Sequence, residues 1–270
     1  MLFQISKPEI TNIWKATWDK IKIRWQFWSL VVVAFISHVT LGIWAGWGED
    51  IIFFPFIIVV LYVVAAQNKI RTSFWKRFAE LNGWQYAYYG YPEKELGLMF
   101  KQGNNRAISN VINGGINDRQ FRIFNYEFSI GSGKTKQTYC YTVFVFKFKG
   151  SFPHIYLNNR FNYYGVDIGE KIPLPREFEK KFSLSAPKKY EIEALEIFTP
   201  DVLANLLDNG FTHDVEFIDQ EVLIFTYGQI NKFEQLEKEF KRALELEDLL
   251  DEKLDKFKFQ PIGNMPHILK

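Results

Sequence analysis

The run Gly131-Ser132-Gly133-Lys134-Thr135 has the ending of a phosphate-binding loop, in which backbone N–H groups and a lysine hold phosphate. That motif needs a glycine five residues before Gly133, where Phe128 stands. It also needs a helix after the lysine, because the helix N-terminus presents the N–H groups. Here Lys134 leads into an alternating, strand-like run. The run therefore predicts a hairpin turn, with glycine supplying positive φ.

The second chemical feature is acidic. Tyr190 to Asn231 carries nine Asp/Glu and no Lys or Arg, including Asp214, Glu216, Asp219 and Glu221 beside His213. On a strand Asp214 and Glu216 share a face, but Thr212 continues it, so the carboxylates do not converge as metal ligands must. A solvated acidic surface is expected, with docking of a basic protein partner on this 190–231 face as the alternative. His154, His213 and His267 stand on separate elements, and neither an H-E-x-x-H pair nor a nucleophile elbow occurs. A hydrolase would have to bring one of these histidines to an acid and a nucleophile by long-range contact. No catalytic residue, metal or cofactor is assigned, and the balance is against an enzyme. The lone Cys140 allows no internal disulfide; its alternating surroundings predict a buried structural thiol, and the missing disulfide framework favours a reducing compartment.

What positions these groups is a chain divided by hydropathy. Hydrophobic residues make up 47% and charged residues 24%, ordinary for a folded protein. From Phe27 to Trp47 no residue is charged, and about 1.5 Å per residue gives ~30 Å, a bilayer's hydrocarbon thickness. After Gly48-Glu49-Asp50 a second apolar run goes from Ile51 to Ala66, with Gln67 at its end and Pro55 in its first turns, where a missing N–H costs least. The pair predicts a transmembrane helical hairpin over 27–68, with spans 27–47 and 51–67. Trp25 and Trp28 mark one interface, Trp44 and Trp47 the other, and Trp75 the first again, as amphipathic rings settle at headgroup depth.

Lys15, Lys20, Lys22 and Arg24 precede the first span; Lys69, Arg71, Lys76 and Arg77 follow the second; the turn between carries only Glu49 and Asp50. The positive-inside rule then places both termini in the cytoplasm, in a bacterial inner membrane. Residues 1–26 read as an amphipathic segment, Ile10, Trp14, Trp18, Ile21 and Trp25 recurring among lysines. Packing on the soluble domain is the other reading of that segment. His38, beside Ser37 and Thr40, sits mid-span without a second intramembrane acid or base for a relay; it is expected to make a polar contact across the hairpin or to an oligomer partner. Gly42-x-x-x-Gly46 is a small-residue pair suited to homo-oligomer contact through the hairpin.

Residues 69–270 form the cytosolic part. The charge there is about −3, 24 basic against 27 acidic groups beyond residue 77, which argues against nucleic acid as a partner and leaves the lipid bilayer as the expected one. Ser73–Leu81 continues the second span as helix, stopped by Asn82-Gly83. Strands are predicted around Trp84–Tyr88, Arg106–Ile112, Phe121–Ile130, Thr138–Phe148 and His154–Leu157, then helices over Pro175–Phe182, YEIEALEIF and PDVLANLLDNG. A hairpin about Asp219-Gln220 and an amphipathic helix through Phe233, Leu236, Phe240, Leu244, Leu249, Leu250 and Leu254 complete the domain. The fold class is α+β: an N-terminal two-helix hairpin, an antiparallel β meander, and covering C-terminal helices.

FRIFNYEF, the Gly-Ser-Gly-Lys turn, YTVFVF, EFEKKF and IFTPDVLANLL resemble an uncharacterised family of bacterial membrane proteins of unknown function, over about residues 75–227. The resemblance implies a hydrophobic hairpin followed by a cytosolic domain, and transfers no functional residue. The functional expectation is a membrane-anchored binding or scaffolding module. The alternatives are a subunit of a larger membrane complex assembled through the hairpin, and a membrane-bound hydrolase.

Overall fold

The computed structural model describes residues 5–46, 53–116, 119–162 and 168–254. Three helices open the chain: α1 (Ile13–Ile23), α2 (Trp25–Ala45) and α3 (Phe53–Leu81). Asn12 caps α1 by accepting the Lys15 N–H at 3.0 Å, the side-chain oxygen satisfying a donor the helix leaves open. The chain then breaks only at Arg24, in extended conformation, before α2 begins. Two stretches, Phe27–Trp44 and Ile57–Leu81, are long and apolar enough to cross a membrane. The Glu49-Asp50 turn, Trp47 and the first residues of the second predicted span lie outside the described residues.

Along α3 the surroundings change while the helix does not. Ile57, Leu61 and Val64 face outward, whereas Ile70, Phe74, Trp75, Phe78 and Ala79 are buried in the domain's main core. An apolar segment thus runs into a core helix without a linker, and it ends where expected. Gly83 adopts φ 71°, and the Trp84 N–H reaches back to the Ala79 carbonyl at 2.9 Å.

Seven strands follow in one antiparallel sheet: β1 (Gln85–Gly90), β2 (Asn104–Ile116), β3 (Arg119–Ile130), β4 (Gln137–Asn159), β5 (Glu170–Ile172), β6 (Phe182–Ala186) and β7 (Asp214–Tyr227). The order is β1-β2-β3-β4-β6-β5, with β7 paired along β4. The β3–β4 connection is the Gly131–Thr135 turn, with Gly131 at φ 79° and Gly133 at φ 54°; the phosphate-loop lookalike is a hairpin turn.

Alternation gives the sheet two faces. Phe121, Ile123, Phe144, Phe146, Val215, Phe217, Val222 and Ile224 point to the face covered by α3, α5 (Glu191–Ile197), α6 (Pro200–Asp208) and α7 (Phe233–Leu254). Trp84 lies at its centre, edge-on to Phe78, Phe121 and Phe240 at 4.9–5.8 Å. Each such fully buried ring stabilises the fold by roughly 1.5–3 kcal/mol. The seam of α7 is Phe233, Leu236, Phe240, Ala243, Leu246 and Leu250, with Leu244 and Leu249 at its margin; the Leu254 side chain lies outside the described ones.

Several expectations need correction. Thr138–Phe148 and His154–Leu157 are one strand, β4, and Asp219-Gln220 is no hairpin but a break in register inside β7, where Asp219 takes φ 53° opposite the matching irregularity of β4. Both strands kink together, so pairing resumes beyond the bulge. The helix predicted over Pro175–Phe182 is only α4 (Arg176–Glu179), and the chain passes directly into β6, every residue of which is buried. Trp75, expected at the headgroups, is fully buried and edge-on to Phe74 at 5.7 Å, because α3 has entered the domain by that point. Cys140 is half-buried and pairs in register with Glu127; burial and then that carboxylate raise its thiol pKa.

Candidate functional site: a strapped, polar sheet face

Among the described residues no α-helix covers the second sheet face. Its middle is apolar, with Phe124, Tyr126, Phe128, Tyr141, Val143 and Phe225 under a strap formed by residues 91–103, from which Met99 and Phe100 insert. Polar contacts hold that strap down. Glu216, fully buried, accepts the Leu98 N–H at 2.8 Å and lies 2.7 Å from His154 Nε2. Gly97 permits this approach, since a Cβ there would stand 2.8 Å from the Glu216 carboxylate. The Tyr126 hydroxyl donates to the Met99 carbonyl at 3.1 Å, and Arg106 donates to the Phe100 carbonyl at 2.9 Å.

Arg122 fastens the strap's beginning. Its guanidinium donates to Glu95 at 2.7 Å and to Glu221 at 3.0 Å, joining β3, the strap and β7 in one charge-assisted fork. Burial opposes its charge, but the Glu95 and Glu221 carboxylates outweigh burial and hold its pKa up. Asp214 is also fully buried, accepting from the Asn159 N–H at 2.6 Å and from Asn162 Nδ2 at 2.7 Å. Burial nevertheless pushes its carboxyl up to about 7.

Beyond the strap lies an open groove of about 690 Å³ at the end of the sheet where α3 stops. Gln85, Asn113, Gln120, Arg122, Lys147 and Glu221 line it together with Gly83, Gly114 and Gly115. The lining offers amides, one lysine and a locked ion-pair cluster. It is equipped to hydrogen-bond a polar ligand or peptide segment.

The sequence-derived candidates separate under this geometry. His154 meets Glu216, and His213 meets Glu239 at 2.9 Å in a contact also joined by Arg242; burial opposes the Glu239 charge, but His213 and Arg242 outweigh it and lower its pKa. No nucleophile hydrogen-bonds either imidazole, and no group of three or more metal-binding side chains forms, among the described residues. His267 lies outside them. The acidic run does not make one face. Asp214 and Glu216 are interior, Glu221 is tied to Arg122, and Glu191, Glu196, Asp201 and Asp208 stay exposed on α5 and α6. Trp28 and Trp44 are exposed, Trp44 at 87%, and Trp25 opens α2. His38 is half-buried on α2 and has no hydrogen-bond partner among the described residues.

Sequence reasoning paired Asp214 with Glu216 but missed the partners that bury them, because Leu98, His154 and Asn159 are 55 to 118 residues away. The groove left no signal, its amides being ordinary on any strand.

Together these features define a class: an α+β domain built on a helix pair of membrane-spanning length and composition, with one sheet face under helices and the other under a strap. The comparisons agree at that level. No family model matches the chain and no curated protein matches it. Among solved structures the chain is similar to the mycobacterial trehalose monomycolate transport factor A, TtfA. The TM-score is 0.51 at 12% identity, over 72% of this chain and 98% of that one. At that identity the likeness concerns the fold.

Proposed function

We propose that this protein is a membrane-anchored, cytosolic binding or scaffolding module that offers the sheet-end groove to a polar segment of a partner. The observation that carries the reading is the unbroken α3. It starts among outward-facing apolar residues, ends at the groove, and leaves no flexible joint between the two. The groove's volume falls in the range of about 300–1,000 Å³ used for specific recognition, while its polar lining suits a peptide loop or hydrophilic group. The similar fold of TtfA, named as a transport factor, is compatible by analogy with a membrane-anchored module. The exposed acids and Ile192 and Leu195 of α5 make a second contact surface for such a partner.

The orientation rests on the flanking lysines and arginines. The test is single-cysteine labelling in intact bacterial cells, in a Cys140→Ser background. Glu49→Cys is expected to react with an impermeant maleimide from outside, and Glu196→Cys only after the membrane is opened. Labelling in the reverse pattern would refute a cytosolic module.

A second reading, a subunit of a larger membrane complex, is favoured by His38, whose imidazole lacks a described partner within a helix of spanning length. Cross-linking between copies through α2 would separate a homo-oligomer from assembly with another protein.

A further inference from the structure

A second cavity lies where the apolar and basic parts of the chain meet. It has about 190 Å³ and is lined by Lys20, Ile21, Arg24, Tyr62, Ala65, Ala66 and Lys69. Lys20 comes from the last turn of α1, Arg24 from the break before α2, and Lys69 from α3 just past its outward-facing apolar stretch. No acid lines it. Arg24 is oriented by the Tyr62 hydroxyl, 3.4 Å from its Nη1, and the Tyr62 ring stacks on Phe27 of α2 at 5.2 Å. The Ile13, Thr17 and Ile21 face of α1 is buried, so the three cations converge on one cleft instead of dispersing.

Three cations around a floor of two alanines and a tyrosine hydroxyl fit a phosphate ester. The volume is below that of pockets enclosing whole ligands, so the cleft takes a headgroup while the remaining molecule stays outside. Leu61, Ile58 and Val64 of α3 and Leu30 of α2 provide exposed apolar surface for acyl chains. We propose that this cleft is a binding site for the phosphate of an anionic glycerophospholipid of the leaflet at the basic flanks. The proposal rests on the membrane reading of α2 and α3. Lipid capture at this site would set the depth and rotation of the helix pair, and with them the attitude of the groove.

The full chain would be reconstituted in nanodiscs of phosphatidylcholine doped with a minority of phosphatidylglycerol. Retained phosphatidylglycerol would then be counted by native mass spectrometry after transfer to detergent. Lys20→Gln with Lys69→Gln is expected to lower retention about tenfold for each cation removed, the loss of a direct hydrogen bond to a charged group. The control Lys15→Gln with Lys22→Gln, equal in charge but outside the cleft, should retain lipid like the parent. Equal loss in both variants would show diffuse attraction and overturn the site. Unchanged retention in the cleft variant would overturn it too. Displacement of the lipid by millimolar inorganic phosphate or glycerol phosphate would assign the cleft to a soluble ester and refute the lipid. A Tyr62→Phe variant, which keeps the ring stack and all three cations, should lose retention partially and guards against misfolding of the charge variants. Failure of the parent chain to enter nanodiscs at all would instead sink the membrane reading, a separate outcome read before any lipid is counted.

Discussion

At the scale of single residues, the domain's most consequential side chains are its buried acids. Glu216 satisfies the Leu98 N–H and His154 together. Replacing it by alanine leaves both without a partner and opens a void, so Glu216→Ala is expected to cost about 3–5 kcal/mol. Glu216→Gln, which retains one acceptor, should cost less. Chemical denaturation of the detergent-solubilised protein would measure both, and a loss below 1 kcal/mol for alanine would show that the strap is held elsewhere.

Asp214 makes a pH prediction whose sign follows from its raised pKa. The folded state binds its proton up to about pH 7, while the unfolded chain releases it near the ordinary carboxyl value of 3.8. Between those values the native state holds more protons, so this group's contribution to stability falls as pH rises from about 4 to about 7. Asp214→Asn removes that dependence. The melting temperature of the parent relative to Asp214→Asn should therefore climb between pH 7.5 and pH 5, and parallel curves would contradict the assignment. The shared strand face of Asp214 and Glu216 is legible in the sequence by alternation alone. Their burial is not, because a carboxylate run reads as solvated until the tertiary donors are known.

At the scale of elements, the paired kink of β4 and β7 is the feature local pattern misjudges. Asp-Gln between two apolar runs has the composition of a turn, and Asp219 does take a positive φ. Residues 215–219 nevertheless stay on β4, pairing with 152–157, because β4 runs the full length of both halves and supplies partners past the bulge. Ser151 secures the kink with a 3.0 Å hydrogen bond to the Asp219 carboxylate. A β-branched residue is penalised in the left-handed region by about 1–2 kcal/mol. Asp219→Val should be less stable than Asp219→Gly by roughly that much, both variants forgoing the Ser151 hydrogen bond. Equal stabilities in thermal unfolding would argue that the φ is not required.

Helices with caps and long period were readable from sequence. α3 and α6 end at Asn-Gly pairs as expected, since Gly83 and Gly210 supply the positive φ. β6 was not, because its apolar–polar alternation, FSLSA, lasts only five residues and its first residue, Phe182, also completes the helical pattern of PREFEKKF. α1 reconciles two readings that looked exclusive. Its Ile13, Thr17 and Ile21 pack inward, while Trp14 and Trp18 remain more than half exposed beside Lys15 and Lys22.

At the scale of the molecule, the prediction concerns continuity. Spin labels at Leu61→Cys and Glu80→Cys, in a Cys140→Ser background, lie on one helix about 28 Å apart along its axis. A single narrow distance is expected by pulsed EPR. Asn68→Pro, which removes a helix hydrogen bond and clashes with the preceding turn, should broaden it. A broad distribution in the parent would mean that α3 bends at the membrane boundary.

That continuity has a thermodynamic consequence. The groove begins about 22 Å along α3 from Gln67, and the N-terminal segment is tied to the start of α7 through Ile13 N–H to the Asn231 carbonyl and Phe233 N–H to the Thr11 carbonyl. Every copy in a bilayer would therefore carry its groove in one plane, with much of its orientational freedom already surrendered. A partner confined to the same bilayer would meet it at a high effective concentration, losing little further entropy on docking. Contacts too weak to hold two freely diffusing proteins together would then suffice, and the same groove in bulk solution would bind poorly.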